Sequence, residues 1–177
     1  MQVTGGRLKG RRLLYPRTEI RPTKGITRQA IFNILGEKVV GARVCDLFAG
    51  GGALGIEALS RGAREVVFIE KSPEAVHFIK ENLKGLEGCR VIKGDVCRVL
   101  SKMSNKQFDI ILADPPYEKG LVAKTLELII KNRLVALGGI LVMEHSKKEP
   151  PATPEVWEKF QQRRYGESVV TFFRRWK

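Results

Sequence analysis

The feature that most constrains the fold of this chain is a regular alternation of short apolar runs with segments of helical spacing. The apolar runs predict buried strands at 43–48, 65–69, 90–93, 108–113 and 139–144. The segments between them predict helices at 53–61, 96–103 and 119–132, and another that opens at Ser72-Pro73. Repeated strand and helix units force a parallel sheet with helices on both faces. The 177 residues therefore predict one α/β domain.

The N-terminal end departs from this alternation. Residues 2–15 predict a hairpin or an extended arm that Pro16 closes. The turn Arg21-Pro22-Thr23 then leads into a helix that ends at Gly36, and either Thr23 or Thr27 is expected to cap that helix. We therefore expect a peripheral segment ahead of the first core strand.

The C-terminal end also departs from the alternation. Segments 157–164 and 168–176 predict a β-hairpin, which adds an antiparallel strand at one edge of the sheet. The predicted organisation is a basic arm over 1–22 and one domain over 23–177.

The formal net charge of +13 is concentrated at the two ends of the chain. Residues 1–43 hold ten Lys or Arg against two acids, and 147–177 hold eight against four, whereas 44–146 hold fourteen against thirteen. Such basic ends indicate a nucleic-acid partner, because phosphate contacts supply most of the affinity for nucleic acids. The alternative is charge that serves only solubility. Segment 5–12, Gly-Gly-Arg-Leu-Lys-Gly-Arg-Arg, favours the first interpretation, since interleaved glycines let a backbone approach phosphates closely.

Composition argues against several other classes. The three cysteines show no CxxC spacing, so neither a disulfide framework nor a zinc site is indicated. The N-terminus has no apolar signal core, and no stretch approaches the roughly 18 to 20 apolar residues of a membrane span. We expect a cytoplasmic protein with no membrane association and no metal. His77 is expected to be structural or solvent-facing, and His145 is a candidate to line a cleft; two isolated histidines do not make a metal site.

Residues 114–117 read Asp-Pro-Pro-Tyr and directly follow the predicted strand 108–113. A strand that stops there presents its last side chains at the carboxyl edge of the sheet, where open α/β folds bind their ligands. Asp114 can accept hydrogen bonds from an amine, the two prolines hold the backbone at fixed φ, and Tyr117 offers a flat face for stacking. The alternative is a proline-rich turn with a surface tyrosine.

A glycine turn follows the first core strand. Gly50, Gly52 and Gly55 satisfy the GxGxxG pattern, Asp46 precedes it, and Glu70 lies twenty residues after Gly50. A nicotinamide dinucleotide site uses such glycines to bring pyrophosphate to a helix N-terminus and the acid to hold ribose hydroxyls. A nucleoside cofactor without pyrophosphate needs the same acid and gains from Asp46, which can face an amino group. A third interpretation is structural, with glycines that pack a helix tightly on a strand.

Acids lie at or just past the ends of four successive predicted strands. Asp95 lies after the third strand, at the same sheet edge as the acids already described. The pattern Asp46-x-Phe48-x-Gly50-x-Gly52, followed by Glu70, Asp95 and Asp114-Pro115-Pro116-Tyr117, resembles the S-adenosylmethionine-dependent methyltransferases that modify exocyclic amino groups of bases.

A narrower resemblance is to the RsmD family, which methylates N2 of a guanine in 16S ribosomal RNA. It is carried by Gly5–Leu13, Arg21–Thr23, Phe32–Leu35, Leu59–Ala63 and Arg164–Gly166. The resemblance extends from residue 3 to about residue 175. One position departs from it, because Ser is expected where this chain has Gly51; the change removes a hydroxyl near the cofactor and adds backbone freedom.

The resemblance implies a Rossmann-like class I methyltransferase fold with a seven-stranded, mostly parallel sheet. The cofactor it implies is S-adenosylmethionine, with S-adenosylhomocysteine as the product and no metal. The implied cofactor-binding residues are Asp46, Phe48, Gly50, Gly52, Glu70, Lys71, Asp95 and Val96, with Thr23 and Arg28 closing over the cofactor.

The resemblance also implies how the RNA is handled. Asp114 and the Pro115 carbonyl would accept hydrogen bonds from the target amine, beside Pro116, and Tyr117 would stack on the extruded base. The implied RNA contacts are Arg7, Lys9, Arg11, Arg12, Arg21 and Lys24. The expected partner is 16S ribosomal RNA, in the small subunit or an assembly intermediate, and the expected state is a monomer.

Three other functions stay open at this point. An adenine-N6 methyltransferase acting on DNA or RNA would also use the Asp-Pro-Pro-Tyr segment, because that segment does not distinguish two purine amines. An NAD-dependent oxidoreductase would explain the GxGxxG pattern but neither Asp114 nor the basic arm. A non-catalytic RNA-binding factor on the same fold would need no carboxylate at position 114.

Overall fold

The structure is a computed structural model that describes residues 1–15, 25–103, 106–117 and 119–177. Its strands are β1 (Arg43–Leu47), β2 (Glu65–Glu70), β3 (Cys89–Lys93), β4 (Phe108–Ala113), β5 (Val135–Ser146), β6 (Trp157–Tyr165) and β7 (Ser168–Arg175). They form one sheet in the order β3-β2-β1-β4-β5-β7-β6. The first five strands are parallel, and β7 pairs antiparallel with both β5 and β6. The predicted α/β sheet with an antiparallel C-terminal hairpin is confirmed.

Helices cover both faces of this sheet. The α-helices are α1 (Gly25–Leu35), α2 (Ala53–Ser60), α3 (Pro73–Asn82), α4 (Val96–Lys102) and α5 (Leu121–Lys131), and a short 3-10 helix spans Gly36–Val39. Pro73 opens α3, and the Ser72 hydroxyl accepts a hydrogen bond from the Ala75 amide at 3.3 Å, as the predicted start requires. The expectation that Thr27 caps α1 is wrong, because that helix already begins at Gly25 and buries Thr27 inside it. Thr23 lies outside the described residues.

Neighbouring residues on the strands alternate between two hydrophobic cores. Val44 and Ile110 pack with α1, α2 and α3 on one face. Cys45 and Ile111, the next residue on each strand, pack with α4 and α5 on the other face. A strand places successive side chains on opposite faces, so a run that is apolar at every position is buried on both. This accounts for the continuous apolar runs in the sequence.

The strand order reverses between β1 and β4. The chain builds outward from β1 through β2 to β3, then returns to the other side of β1 to place β4. Leu47 at the end of β1 pairs with Ala113 at the end of β4, so the segments that follow both strands leave the sheet side by side. In open α/β sheets, ligands bind in the crevice at such a point.

Residues 1–15 form an arm that packs on α2. An isolated antiparallel bridge pairs Gln2 with Arg12, and Val3 and Leu13 are 2% and 5% exposed in the core on that face. The Arg7 amide also donates to the Ser60 carbonyl at 2.8 Å. The arm is therefore anchored through apolar burial and main-chain hydrogen bonds. The boundary between the arm and the domain, expected after residue 22, stays a prediction.

Within the part of the chain that the structure describes, no helix combines the length and the apolar character needed to cross a bilayer.

Candidate active site

The sheet brings the four predicted acids to one edge. Since β3, β2, β1 and β4 are parallel neighbours, their carboxyl ends lie next to one another. In that order, the acids at or just beyond these ends are Asp95, Glu70, Asp46 and Asp114. They surround the point where the strand order reverses, which is the position expected for a ligand site in this architecture.

The turn after β1 has an unusual backbone shape. Phe48, Gly50 and Gly52 adopt positive φ angles of 58°, 55° and 82°. Glycine takes up such angles without cost, whereas a phenylalanine there is strained. The Gly52 amide donates to the Ala49 carbonyl at 2.7 Å, which closes the turn just before α2. Strain held in place by tight turn hydrogen bonds is characteristic of a ligand-binding backbone.

Glu70 holds this turn in place. One of its carboxylate oxygens accepts from the Gly50 amide at 2.8 Å, and the other accepts from the Ser72 amide at 2.8 Å. The side chain is buried, so it bridges the glycine turn and the start of α3 inside the protein. Its contact with a ribose stays a prediction; the structure shows that it fixes the backbone there.

Asp46 lies under the same turn and is 1% exposed. Its Oδ2 accepts from the Gly55 amide at 2.8 Å, where a Cβ on Gly55 would lie 2.2 Å from the Phe68 ring. Gly55 thus allows α2 to approach β2 closely enough for this bond. Burial raises the pKa of Asp46 well above its usual range; the Gly55 amide opposes the shift, while Asp114 and Glu70 add to it. A cation placed beside this carboxylate would favour its charged form.

The remaining predicted cofactor residues next to β2 and β3 differ in exposure. Asp95 is exposed and caps α4, with Oδ1 accepting from the Arg98 amide at 3.0 Å. Val96 is buried beside it, and Lys71 is exposed after β2. An exposed carboxylate next to a buried apolar side chain can recognise both the edge and the face of a flat ring.

The Asp-Pro-Pro-Tyr segment follows β4 at the crevice. Asp114 is half-buried, Pro115 is buried, and Pro116 is exposed. Tyr117 is 37% exposed, and its hydroxyl donates to Glu144 Oε1 at 3.1 Å. Burial raises the pKa of Tyr117 to about 12, so the phenol keeps its proton at neutral pH.

Glu144 is a further acid of this site that the sequence analysis missed. Met143 pairs with Ala113, which places Glu144 on β5 beside Asp114. The Ser168 hydroxyl of β7 donates to the same Oε1 that Tyr117 contacts, while Oε2 is buried without a hydrogen-bond partner among the described residues. The signal was present, since Glu144 stands near the carboxyl end of its strand like the other acids.

Tyr15 is a second residue that the sequence analysis missed. Its half-buried ring lies over Gly51, where an added Cβ would come within 2.5 Å of a ring carbon. Burial raises the pKa of Tyr15 to about 12, and the charges of Asp46 and Asp114 act in the same direction. The arm therefore reaches the glycine turn. The departure from the expected Ser at position 51 has a steric reason, because Gly51 leaves room for Tyr15.

Arg28 is 1% exposed and faces the arm. Its Nε lies 3.2 Å from Glu57 Oε2, and one terminal nitrogen donates to the Gln2 carbonyl. Glu57 also accepts from the Thr4 amide at 2.8 Å and from Arg61 Nε at 2.8 Å. The contacts shown for Arg28 thus join α1, α2 and the arm. Its contact with the cofactor stays a prediction.

The predicted RNA-binding cations have different environments. Arg7, Lys9 and Arg12 are exposed on the arm. Arg11 instead donates from Nη2 to the carbonyls of Asn82 and Lys84, at 2.9 and 3.2 Å. Its guanidinium therefore also attaches the arm to the end of α3. The predicted RNA contacts at Arg21 and Lys24 lie outside the described residues, as does the predicted cofactor contact at Thr23.

The two histidines differ in burial. His145 is 1% exposed, with ring nitrogens 2.8 Å from the Ser146 carbonyl and 2.9 Å from Thr171 Oγ1, so the expectation that it lines the cleft is wrong. Burial lowers the pKa of His145. His77 is exposed on α3. Over the described ranges, no three His, Cys, Asp or Glu residues are grouped so as to hold a metal ion.

Comparison with known proteins gives consistent matches. The family described as Conserved hypothetical protein 95 matches residues 1–174. Ribosomal RNA small subunit methyltransferase D of Escherichia coli strain K12 is 30% identical over 179 residues, which cover 99% of this chain and 90% of that protein. The protein of the same name from Buchnera aphidicola of Acyrthosiphon pisum is 32% identical over 164 residues, 91% of this chain and 86% of that protein. The solved structure of the Escherichia coli protein yhhF matches with a TM-score of 0.92 at 29% identity, covering 99% of this chain and 98% of that one.

Proposed function

Because the chain belongs to the RsmD family, we propose that it transfers a methyl group from S-adenosylmethionine to the N2 amine of a guanine in 16S ribosomal RNA. The observation that supports this most directly is the crevice between β1 and β4. There the strained glycine turn with its buried acids adjoins the Asp-Pro-Pro-Tyr segment. A methyl donor and an amine can therefore be held side by side at this edge of the sheet.

The cofactor half of the site consists of residues that follow β1, β2 and β3. Asp46 is a buried carboxyl group whose pKa burial raises, and the ammonium group of an amino acid moiety placed beside it would favour its charged form. Glu70 adjoins the position expected for ribose hydroxyls, and Asp95 with Val96 can receive the adenine edge and face. S-adenosylmethionine, when bound, supplies a methyl group on a positively charged sulfur. The residues of the chain orient that group and exclude water from it.

The substrate half of the site must activate a weak nucleophile. The lone pair of an exocyclic purine amine is delocalised into the ring, and hydrogen bonds from its N–H groups to Asp114 and the Pro115 carbonyl would favour tetrahedral nitrogen. As the N–C bond forms and the S–C bond breaks, positive charge develops on the nitrogen, which the carboxylate stabilises. The nitrogen becomes acidic only then, and its proton would pass to the Asp114 carboxylate or to water. Tyr117, held by Glu144, offers its ring to the extruded base.

The test of this proposal is methyl transfer from labelled S-adenosylmethionine to 16S ribosomal RNA, supplied both naked and in assembled small subunits. The Asp114→Asn variant removes the negative charge at constant size, and we expect a rate loss of about 10²- to 10³-fold. Asp109→Asn is the matched control, since Asp109 lies at the opposite end of β4 and accepts from the Arg43 amide at 2.8 Å. Full activity of Asp114→Asn would contradict the catalytic role assigned to Asp114, whereas no methyl transfer by the wild-type protein to either form of the RNA would favour a non-catalytic RNA-binding factor.

Mass spectrometry of the product nucleosides distinguishes the two purine amines. N2-methylguanosine supports the proposal, whereas N6-methyladenosine in its place would assign the enzyme to adenine. Calorimetry addresses the remaining alternative, because heat from NAD but none from S-adenosylhomocysteine would indicate an oxidoreductase.

The arm is proposed as part of the RNA-binding surface. Replacement of Arg7, Lys9 and Arg12 by Gln should weaken RNA binding and reduce its salt dependence, with each lost phosphate contact lowering the slope of log K against log salt by about 0.7 to 0.9. Arg11 is left intact because it also fixes the arm to α3. An unchanged slope would refute the arm as an RNA contact.

A further inference from the structure

Asn82, the last residue of α3, connects the arm to the glycine turn. It is 4% exposed. Its Oδ1 accepts from the Leu14 amide at 2.8 Å, and its Nδ2 donates to the Leu14 carbonyl at 2.9 Å and to the Gly51 carbonyl at 3.1 Å. A single buried side-chain amide thus contacts the main chain of two segments that are distant in sequence.

Two further contacts place the arm against the same region. Arg11 donates to the main-chain carbonyl of Asn82 at 2.9 Å. Tyr15, next to Leu14, lies with its ring against Gly51. The arm therefore meets the end of α3 and the glycine turn through Arg11, Leu14 and Tyr15, three residues within segment 11–15. A shift of the arm along α3 would have to break these contacts or move the turn with it.

The hydrogen-bonding capacity of Asn82 leaves little freedom for the turn. An amide nitrogen has two N–H donors, and those of Asn82 have two carbonyl acceptors, one on the arm and one on the turn. Inside the protein, water does not replace a lost hydrogen-bond partner. If either the Leu14 or the Gly51 carbonyl moves, the Asn82 amide must reorient, and its hydrogen bond to the other carbonyl is weakened. The opposite side of the turn is fixed by Glu70 through the Gly50 amide.

We propose that Asn82 is a positioning residue that links RNA binding at the arm to cofactor binding at the glycine turn. RNA bound by the exposed cations of the arm holds residues 11–15 in one position. Asn82, which bonds to Leu14, then holds the Gly51 carbonyl in one position as well. The turn then binds S-adenosylmethionine more tightly, and by reciprocity the cofactor tightens RNA binding. The inference rests on the proposed function, since it assigns the arm to RNA and the turn to the cofactor.

The wild-type protein provides the first test. The affinity for S-adenosylhomocysteine is measured by calorimetry alone and with saturating 16S ribosomal RNA transcribed in vitro. We expect the RNA to tighten cofactor-product binding by about 5- to 150-fold, the usual range for coupled sites. Equal affinities with and without RNA would overturn this inference alone. Failure of the wild-type protein to bind S-adenosylhomocysteine at all would overturn the proposed function with it.

Two variants of Asn82 test the assigned residue. Asn82→Ala removes the three hydrogen bonds of the side chain, and Asn82→Asp keeps its size but sets an oxygen against two carbonyls. In both, the factor by which RNA tightens S-adenosylhomocysteine binding should fall to about one. The matched control is Asn132→Ala, because Asn132 also stands at a helix C-terminus and donates from Nδ2 to the Leu128 carbonyl of its own helix at 3.0 Å. That variant should keep the wild-type factor.

The coupling factor, by which RNA tightens S-adenosylhomocysteine binding, distinguishes a positioning role of Asn82 from a role in folding stability alone. A residue needed only for folding would change the melting temperature and leave the coupling factor of the folded fraction intact. Wild-type coupling in either folded Asn82 variant would therefore overturn the assignment. If both variants fail to fold, Gly51→Ala disturbs the junction of the arm and the turn without changing Asn82, since its Cβ would displace the Tyr15 ring. Retention of the wild-type coupling factor there would also count against the link.

Discussion

The two basic ends of the chain are attached to the same domain in different ways. The C-terminal hairpin continues the sheet, with residues 168–174 paired in unbroken register against 140–146. The N-terminal arm is held instead by a few separate contacts: the buried Val3 and Leu13, a main-chain bond from Arg7 to Ser60, and polar side chains, chiefly Glu57, Ser60 and Asn82. A backbone ladder distributes its attachment over many bonds, whereas each contact of the arm has a larger share in holding it. Single substitutions should therefore loosen the arm far more than the hairpin.

Each end also contacts a different half of the candidate site. The arm reaches the glycine turn through Tyr15 and Gly51. The hairpin reaches the substrate half, because Ser168 shares a Glu144 oxygen with Tyr117. The comparison predicts that damage to the arm changes cofactor binding first, and damage to the hairpin changes the handling of the target base.

The largest effect is expected from Glu57→Gln. Glu57 is fully buried and binds Arg28, Arg61 and Thr4, so the change removes a buried negative charge that faces the guanidinium groups of Arg28 and Arg61. Breaking a buried pair in this way costs about 3 to 5 kcal/mol of unfolding free energy, measurable by urea denaturation. Glu158→Gln on the hairpin is the control. Its partner Arg174 lies 3.9 Å away with both side chains exposed, and such pairs contribute about 0 to 1 kcal/mol. Equal losses in the two variants would contradict the comparison.

The same carboxylate predicts a pH dependence of stability. Burial alone would raise the pKa of Glu57, but hydrogen bonds from Thr4 and Arg61 outweigh it and hold the pKa below the ordinary 4.5. A lowered folded-state pKa means that this contribution is fully present above about 4.5 and is lost as the pH falls through the folded-state value. Unfolding free energy, measured from pH 7 downward, should therefore decline less steeply in Glu57→Gln than in the wild type. If the unfolding free energies of the two proteins fall in parallel with pH, another titratable group causes the loss of stability at low pH.

A smaller effect is expected where the arm meets the turn. A Cβ added by Gly51→Ala would lie 2.5 Å from a Tyr15 ring carbon, so the ring must move or the turn must distort. Overpacking of this kind costs about 1 to 3 kcal/mol, and we expect weaker binding of S-adenosylhomocysteine in calorimetry. The double variant with Tyr15→Ala removes the clash and should recover part of the loss. Strictly additive effects of the two changes would mean that the ring and the turn do not interact.

The smallest effect is expected from Ser168→Ala on the hairpin. The change removes one hydrogen bond to Glu144 and leaves the bond from Tyr117, so the unfolding free energy should fall by about 1 kcal/mol. The affinity for S-adenosylhomocysteine should stay at the wild-type value, while the KM for ribosomal RNA rises. A loss of cofactor affinity as large as that in Gly51→Ala would erase the difference between the two ends.

The confirmed predictions were those that depend on local patterns. The apolar runs located the five parallel strands, because burial on both faces of the central ones leaves a continuous signal in sequence, and the hairpin pattern located β6 and β7. The strand β5 is longer than predicted, since Val135–Ser146 includes the exposed Leu137 and Gly138 that interrupt the apolar pattern. The acids could be assigned to one edge because parallel strands share their direction, and Glu144 was missed only because the rule was not extended to β5.

What the sequence determined by itself is the order of strands and helices, the carboxyl-edge acids, the Asp-Pro-Pro-Tyr segment and the family motifs. Each is encoded within a few consecutive residues or by a short period. Only the tertiary structure decided that Glu57 anchors Thr4 across 53 positions, and that Asn82 bonds to Leu14 across 68 positions and to Gly51 across 31. Such contacts form between side chains that folding brings together, and no local periodicity records them. For this reason the arm appeared peripheral in sequence and is interlocked with the candidate active site in the structure.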